Sequence, residues 1–97
     1  MARRIRLSAA AFADIAAIAE YGVREFGLAA ADRYRDALEE KLHLIAAFPE
    51  IGPEEPVFGA GVRGLPAMSH RIIYQLGRED ILIIRVLHSR QVPPGLD

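Results

Sequence analysis

Arg71, Arg85, His88 and Arg90 lie among aliphatic residues near the end of the chain, in His-Arg-Ile-Ile-Tyr (70–74) and Ile-Leu-Ile-Ile-Arg-Val-Leu-His-Ser-Arg (81–90). Arginine's planar fork suits phosphate or carboxylate, yet it stays protonated, so it can hold an anion but not move a proton. Cutting an RNA phosphodiester needs a base for the 2′-hydroxyl and an acid for the leaving oxygen. With Arg71, His88 and Arg90 as the site, His88 would have to serve as both. The same three groups could equally bind a partner's carboxylate. His43 has no histidine one helical turn away and reads as a surface residue, so no metal ligand set is expected. There is no Gly-rich phosphate loop after a strand, no nucleotide fingerprint and no Ser/His/Asp arrangement, so no cofactor is expected either.

Ninety-seven residues with 52% hydrophobic and 26% charged content make one globular domain, 1–97. The net charge of −1 argues against a general polyanion binder, and direct DNA binding is not expected. Charge is nevertheless uneven. Residues 62–97 hold Arg63, Arg71, Arg78, Arg85 and Arg90 against three acids, Glu79, Asp80 and Asp97. The absence of cysteine excludes disulfide and thiolate chemistry and agrees with a cytoplasmic setting. Asp14 and Glu20 interrupt the Ala-rich start, so neither a secretory signal nor a membrane span is expected.

The elements that must position these groups follow from periodicity. Arg3 to Leu7 alternates and predicts a short edge strand with its arginines in solvent. Ser8 is placed to cap a helix running to about Phe26, with Phe12, Ile15, Ala16, Ala19, Val23 and Phe26 as its inner stripe. Gly27 offers a left-handed stop. A second helix, about 29–48, should turn Ala31, Tyr34, Leu38, Leu42, Ile45 and Phe48 inward, and the short connection makes the pair an antiparallel hairpin. Prolines and glycines make 49–61 irregular. Three strands follow near 62–67, 69–77 and 81–89, with Pro66 holding the first to an edge. The fold class expected is α+β: an N-terminal strand, an antiparallel two-helix hairpin, then a three-stranded antiparallel sheet.

The last hairpin admits two registers. A two-residue turn at Glu79-Asp80 pairs Arg71 with His88 and Tyr74 with Arg85. A three-residue loop pairs His70 with His88 and Ile72 with Val86, exchanging the faces. In the first register Arg71, Ile73, Leu82, Ile84, Val86, His88 and Arg90 share a face that no element is left to cover. With Arg63, these residues are then a candidate partner-binding surface.

These residues also carry a family resemblance. The strand–helix–helix–three-strand order resembles the RelE/ParE superfamily of type II toxins, as do Gly-Val-Arg-Gly-Leu-Pro (61–66), His-Arg-Ile-Ile-Tyr (70–74) and Ile-Ile-Arg-Val-Leu-His-Ser-Arg-Gln (83–91). The Arg-Val-Leu-His-x-Arg ending is similar to the ParE branch, and the likeness spans essentially the whole chain. It implies a toxin that inhibits DNA gyrase by binding rather than catalysis. It also implies a hetero-oligomer with a ParD-like antitoxin whose C-terminal segment covers the toxin's exposed apolar surface. The alternative is a RelE-like ribosome-dependent mRNA endoribonuclease using Arg71, His88 and Arg90. The lysines of that branch fall near Val62 and Gly64 and its C-terminal tyrosine near Leu96, so this chain lacks that acid/base equipment.

Overall fold

The computed structural model describes residues 2–91. Strand β1 (Arg4–Leu7) leads into helices α1 (Ala9–Phe26) and α2 (Leu28–Ala47). A single 3-10 turn at Pro56–Phe58 interrupts the following loop, and β2 (Val62–Ala67), β3 (His70–Leu76) and β4 (Asp80–His88) complete the fold. The sheet order is β1-β4-β3-β2, antiparallel except where β1 lies parallel to β4. The expected α+β architecture is therefore present, with the N-terminal strand added to the sheet as a fourth, parallel member. Pro66 lies on the edge strand β2, where its missing N–H interrupts no inner ladder.

Ser8 caps α1 by accepting the Ala11 N–H at 2.9 Å, and its own hydroxyl donates to the Ile84 carbonyl at 2.7 Å. Two turns on, the Asp14 carboxylate takes both the Arg85 guanidinium (2.8 and 2.9 Å) and the Val86 N–H (2.9 Å). Ser8, Ala11, Asp14, Ile15, Ile18 and Gly22 thus form the stripe that meets the rest of the fold, and Ala11 is fully buried. That rotation corrects the stripe expected from aliphatics alone. Phe12, Ala16, Ala19, Val23 and Phe26 are exposed, Phe12 and Phe26 by 67% and 68%. Polar anchoring to the open edge of β4 outweighs the apolar count, since unpaired strand groups at a buried edge are unfavourable. Phe48 caps α2 and is exposed instead of inward, whereas Ala31, Leu38 and Ile45 are buried as expected.

Gly27 alone joins the helices, closing α1 and opening α2 with φ 88° and ψ 164°. Its positive φ suits glycine, but the extended ψ differs from the left-handed helical stop expected. A Cβ at Gly22 would sit 3.3 Å from Ala31 Cβ, so the helices approach closely near the turn.

The β3–β4 hairpin follows neither register throughout. Leu76 pairs with Ile81 and Tyr74 with Ile83 near the turn, but Ile73 pairs with Arg85 and His70 with His88 farther out. The extra residue, Ile84, is a bulge beside the end of β1, and its carbonyl is the one that receives Ser8. Beyond the bulge the pairing is that of the three-residue alternative, so Ile72 and Val86 join the helix-side core. That core also holds Leu65, Ala67, Tyr74, Ile81 and Ile83. Tyr74 is fully buried; its hydroxyl donates to the Pro49 carbonyl at 2.7 Å and accepts the Gly52 N–H at 2.9 Å. On the opposite sheet face Phe58 packs with Val62, Ile73, Ile84 and Leu87.

Candidate functional site

The structure separates the three groups expected to act together. Pairing His70 with His88 puts His88 on the helix side, while Arg71, one residue from His70 along β3, points to the other face. There Arg71 donates to Glu55 Oε1 and to the Gln91 carbonyl, both at 2.8 Å, and its guanidinium carbon lies 5.8 Å from the centre of the Phe58 ring. Its Nε is buried with no acceptor among the described residues. Arg90 is exposed beyond β4, its N–H directed at His88 Nδ1 at 3.4 Å. Arg63 has a structural role, binding the Glu50 and Gly52 carbonyls at 3.1 and 2.8 Å. The apolar face expected to be wholly or partly accessible is so at two of its four aliphatics. Ile73 is fully buried beside Phe58, Val86 lies in the other core, and Leu82 and Ile84 are half-buried.

The positions aligned with the lysines of the ribonuclease branch are both buried. Val62 is buried, and a Cβ at Gly64 would meet Glu55 Oε1 at 2.7 Å. Leu96 lies outside the described residues.

Sequence reasoning missed the arrangement on the helix side. The exposed aromatics of α1 line a cleft of about 800 Å³ shared with α2, with Ile15, Ile18 and Leu38 deeper in. At one end it reaches His70 and His88, whose rings stack edge to face at 5.6 Å. Tyr34 joins them, its hydroxyl 2.6 Å from His70 Nδ1 and accepting the Ser69 N–H at 3.1 Å. Burial lowers the His70 pKa, the neighbouring His88 lowers it further, and Asp14 opposes both. Burial alone would raise the Asp14 carboxyl, but the hydrogen bonds from Arg85 and Val86 and the Arg85 charge bring it below its ordinary value. The same pair raises the Arg85 pKa. The cleft was hidden by assigning Phe12 and Phe26 to the core. The clue available was Asp14, spaced helically with Ser8 and Ala11.

This surface is largely apolar with a small polar end. The family model described as "ParE toxin of type II toxin-antitoxin system, parDE" matches residues 5–93. Toxin ParE1 of Caulobacter vibrioides is 35% identical over 84 residues, covering 87% of this chain and 86% of that protein. Toxin ParE1 of Mycobacterium tuberculosis is 34% identical over 91 residues, covering 93% of each. A solved structure titled "Chromosomal ParDE TA system from P. aeruginosa" superposes with a TM-score of 0.76 at 20% identity, covering 89% of this chain and 95% of that one. The anchored helical hairpin, the bulged four-stranded sheet and these relatives together place the chain in the ParE family of type II toxin–antitoxin toxins.

Proposed function

We propose that this toxin inhibits DNA gyrase by binding it and is neutralised by a ParD-like antitoxin in a hetero-oligomer. The observation that supports binding over RNA cleavage is the separation of Arg71 from His88 on opposite sheet faces. Arg71 is engaged by Glu55 and Gln91 and Arg85 by Asp14, so both arginines of the β3–β4 pair are committed elsewhere than to His88. The antitoxin's place on this reading is the cleft between α1 and α2, since Phe12, Tyr21 and Phe26 are the large exposed aromatics that a soluble partner would cover.

Purified toxin is expected to block gyrase supercoiling or trap gyrase-dependent DNA breaks, and to leave ribosome-bound mRNA intact. Co-expression with a neighbouring small reading frame of ribbon-helix-helix pattern should abolish that activity and yield a co-purifying complex. Codon-positioned mRNA cleavage that falls roughly 10²–10⁴-fold in His88→Gln would overturn the gyrase reading, because general acid–base catalysis contributes about that much.

A further inference from the structure

The polar end of the cleft is half-buried at His70 and open to solvent at His88. His70 Nδ1 faces the Tyr34 hydroxyl and His88 Nδ1 faces the Arg90 N–H, but neither imidazole Nε2 has a hydrogen-bond partner among the described residues. A docked segment that was apolar throughout would bury these nitrogens unpaired, which is unfavourable. The residues lining the cleft include no carboxylate. The surrounding charges can be assigned by element. From α1, Asp14 is committed to Arg85 of β4 and to the Val86 N–H. From α2, Tyr34 bonds His70, and Arg35 at the rim is 3.5 Å from Asp36 and 3.9 Å from Asp32. Arg90 follows β4 two residues after His88. Among the described residues, then, no carboxylate lines the cleft beside the two imidazoles.

We infer that the cleft receives an amphipathic helix whose apolar stripe carries one carboxylate, and that this carboxylate docks on the His70–His88 pair with uptake of a proton. The inference deepens the antitoxin reading and rests on it for the identity of the helix. In the free toxin His70 is held toward its neutral form by burial and by His88. An incoming carboxylate reverses that balance, because an opposite charge within reach favours the imidazolium. The apolar wall supplies area, and the histidine pair supplies register and a requirement for acid. A helix lying along the cleft from Phe12 to Phe26 follows about 21 Å of α1, at 1.5 Å rise per residue.

The test uses two synthetic helical peptides of about 16 residues with the same Leu/Ala stripe, differing only in one central Glu or Gln. Binding to the intact toxin is followed by fluorescence anisotropy at about pH 5.5 and about pH 8, below and above the ordinary imidazole value. The Glu peptide should bind about tenfold more tightly than the Gln peptide at the lower pH, and the advantage should fade at the higher. In a His70→Gln/His88→Gln toxin with an unchanged urea midpoint, the preference should vanish; if that variant unfolds, Tyr34→Phe and the single variant His88→Gln replace it. Equal affinities, a Gln preference, no binding by either peptide, or a Glu preference that survives the substitutions would each overturn the inference. So would self-association of the toxin that the Glu peptide does not disperse, since the occupant would then be a second copy. If the ribbon-helix-helix protein fails to bind while the Glu peptide binds, only the antitoxin reading falls.

Discussion

Asp14→Ala tests the account of how α1 is oriented. Asp14 and Arg85 side chains are 16% and 29% exposed, so the pair is mostly but not fully withdrawn from water. Removing one partner of a fully buried pair costs about 3–5 kcal/mol, and the partial exposure here reduces that. The substitution also strips the Val86 N–H of its acceptor, a loss of about 1–3 kcal/mol when the donor stays buried. The two losses overlap, and together they come to about 3 kcal/mol. For a domain of this size that corresponds to a melting temperature lower by about 12–24 °C. Urea unfolding should show a lower midpoint with an unchanged slope, the sign of lost stability without a change in the surface exposed. Asp14→Asn should fall between wild type and Asp14→Ala, because one amide oxygen can still accept from Val86. The folded-state pKa of Asp14 lies below its ordinary 3.8, so its contribution is fully present above that value and is lost as pH falls through the folded-state value. The gap between wild type and Asp14→Asn should therefore close at strongly acid pH. A loss below about 1 kcal/mol for Asp14→Ala, the level of an exposed pair, would refute the anchoring argument.

Leu38→Ala removes a buried side chain from the helix-side core and should cost about 2–5 kcal/mol in urea unfolding. Phe12→Ser and Phe26→Ser should leave the unfolding midpoint within about 0.5 kcal/mol of wild type, as exposed positions do, while weakening antitoxin capture measured by co-purification. Gly52→Ala would bring a methyl group to 2.8 Å from the Tyr74 hydroxyl, so thermal unfolding should show a loss of about 1–3 kcal/mol, the range for overpacking. The pKa of His70 is lowered on folding, so the unfolded chain takes up its proton first as pH drops below 6.5. Stability of the free toxin should fall with acidification from that point, and His70→Gln should flatten this dependence in urea titrations.

The element order was legible because each element declares itself locally: Ser8 before a helical stripe, Gly27 between two helices, Pro66 on an edge, β-branched runs in β3 and β4. What escaped was relative rotation and register, which are set between elements. Phe12 and Phe26 look like core residues to any count of apolar spacing, and only the bonds from Asp14 to Arg85 and Val86 turn them outward. The bulge at Ile84 is equally invisible locally. It moves Val86 and His88 to the helix side, which takes two residues from the expected partner face and places His88 at the cleft's polar end. Phe58 lies in a loop with no strand pattern, so its cover over Ile73 and Leu87 could not be read from periodicity.

The position of β4 has a consequence for synthesis. It is the last of the described strands to be translated, yet it lies inside the sheet, with β1 on one side and β3 on the other. It also supplies the groups that hold Ser8 and Asp14. Until residues 80–88 have left the ribosome, β1 has no strand to pair with, and Ser8 and Asp14 lack their partners on β4. Contacts this distant along the chain form late and make folding cooperative near the end of translation. A chain broken off before β4 therefore lacks the strand that joins β1 to β3 and the His88 that closes one end of the helix-side cleft.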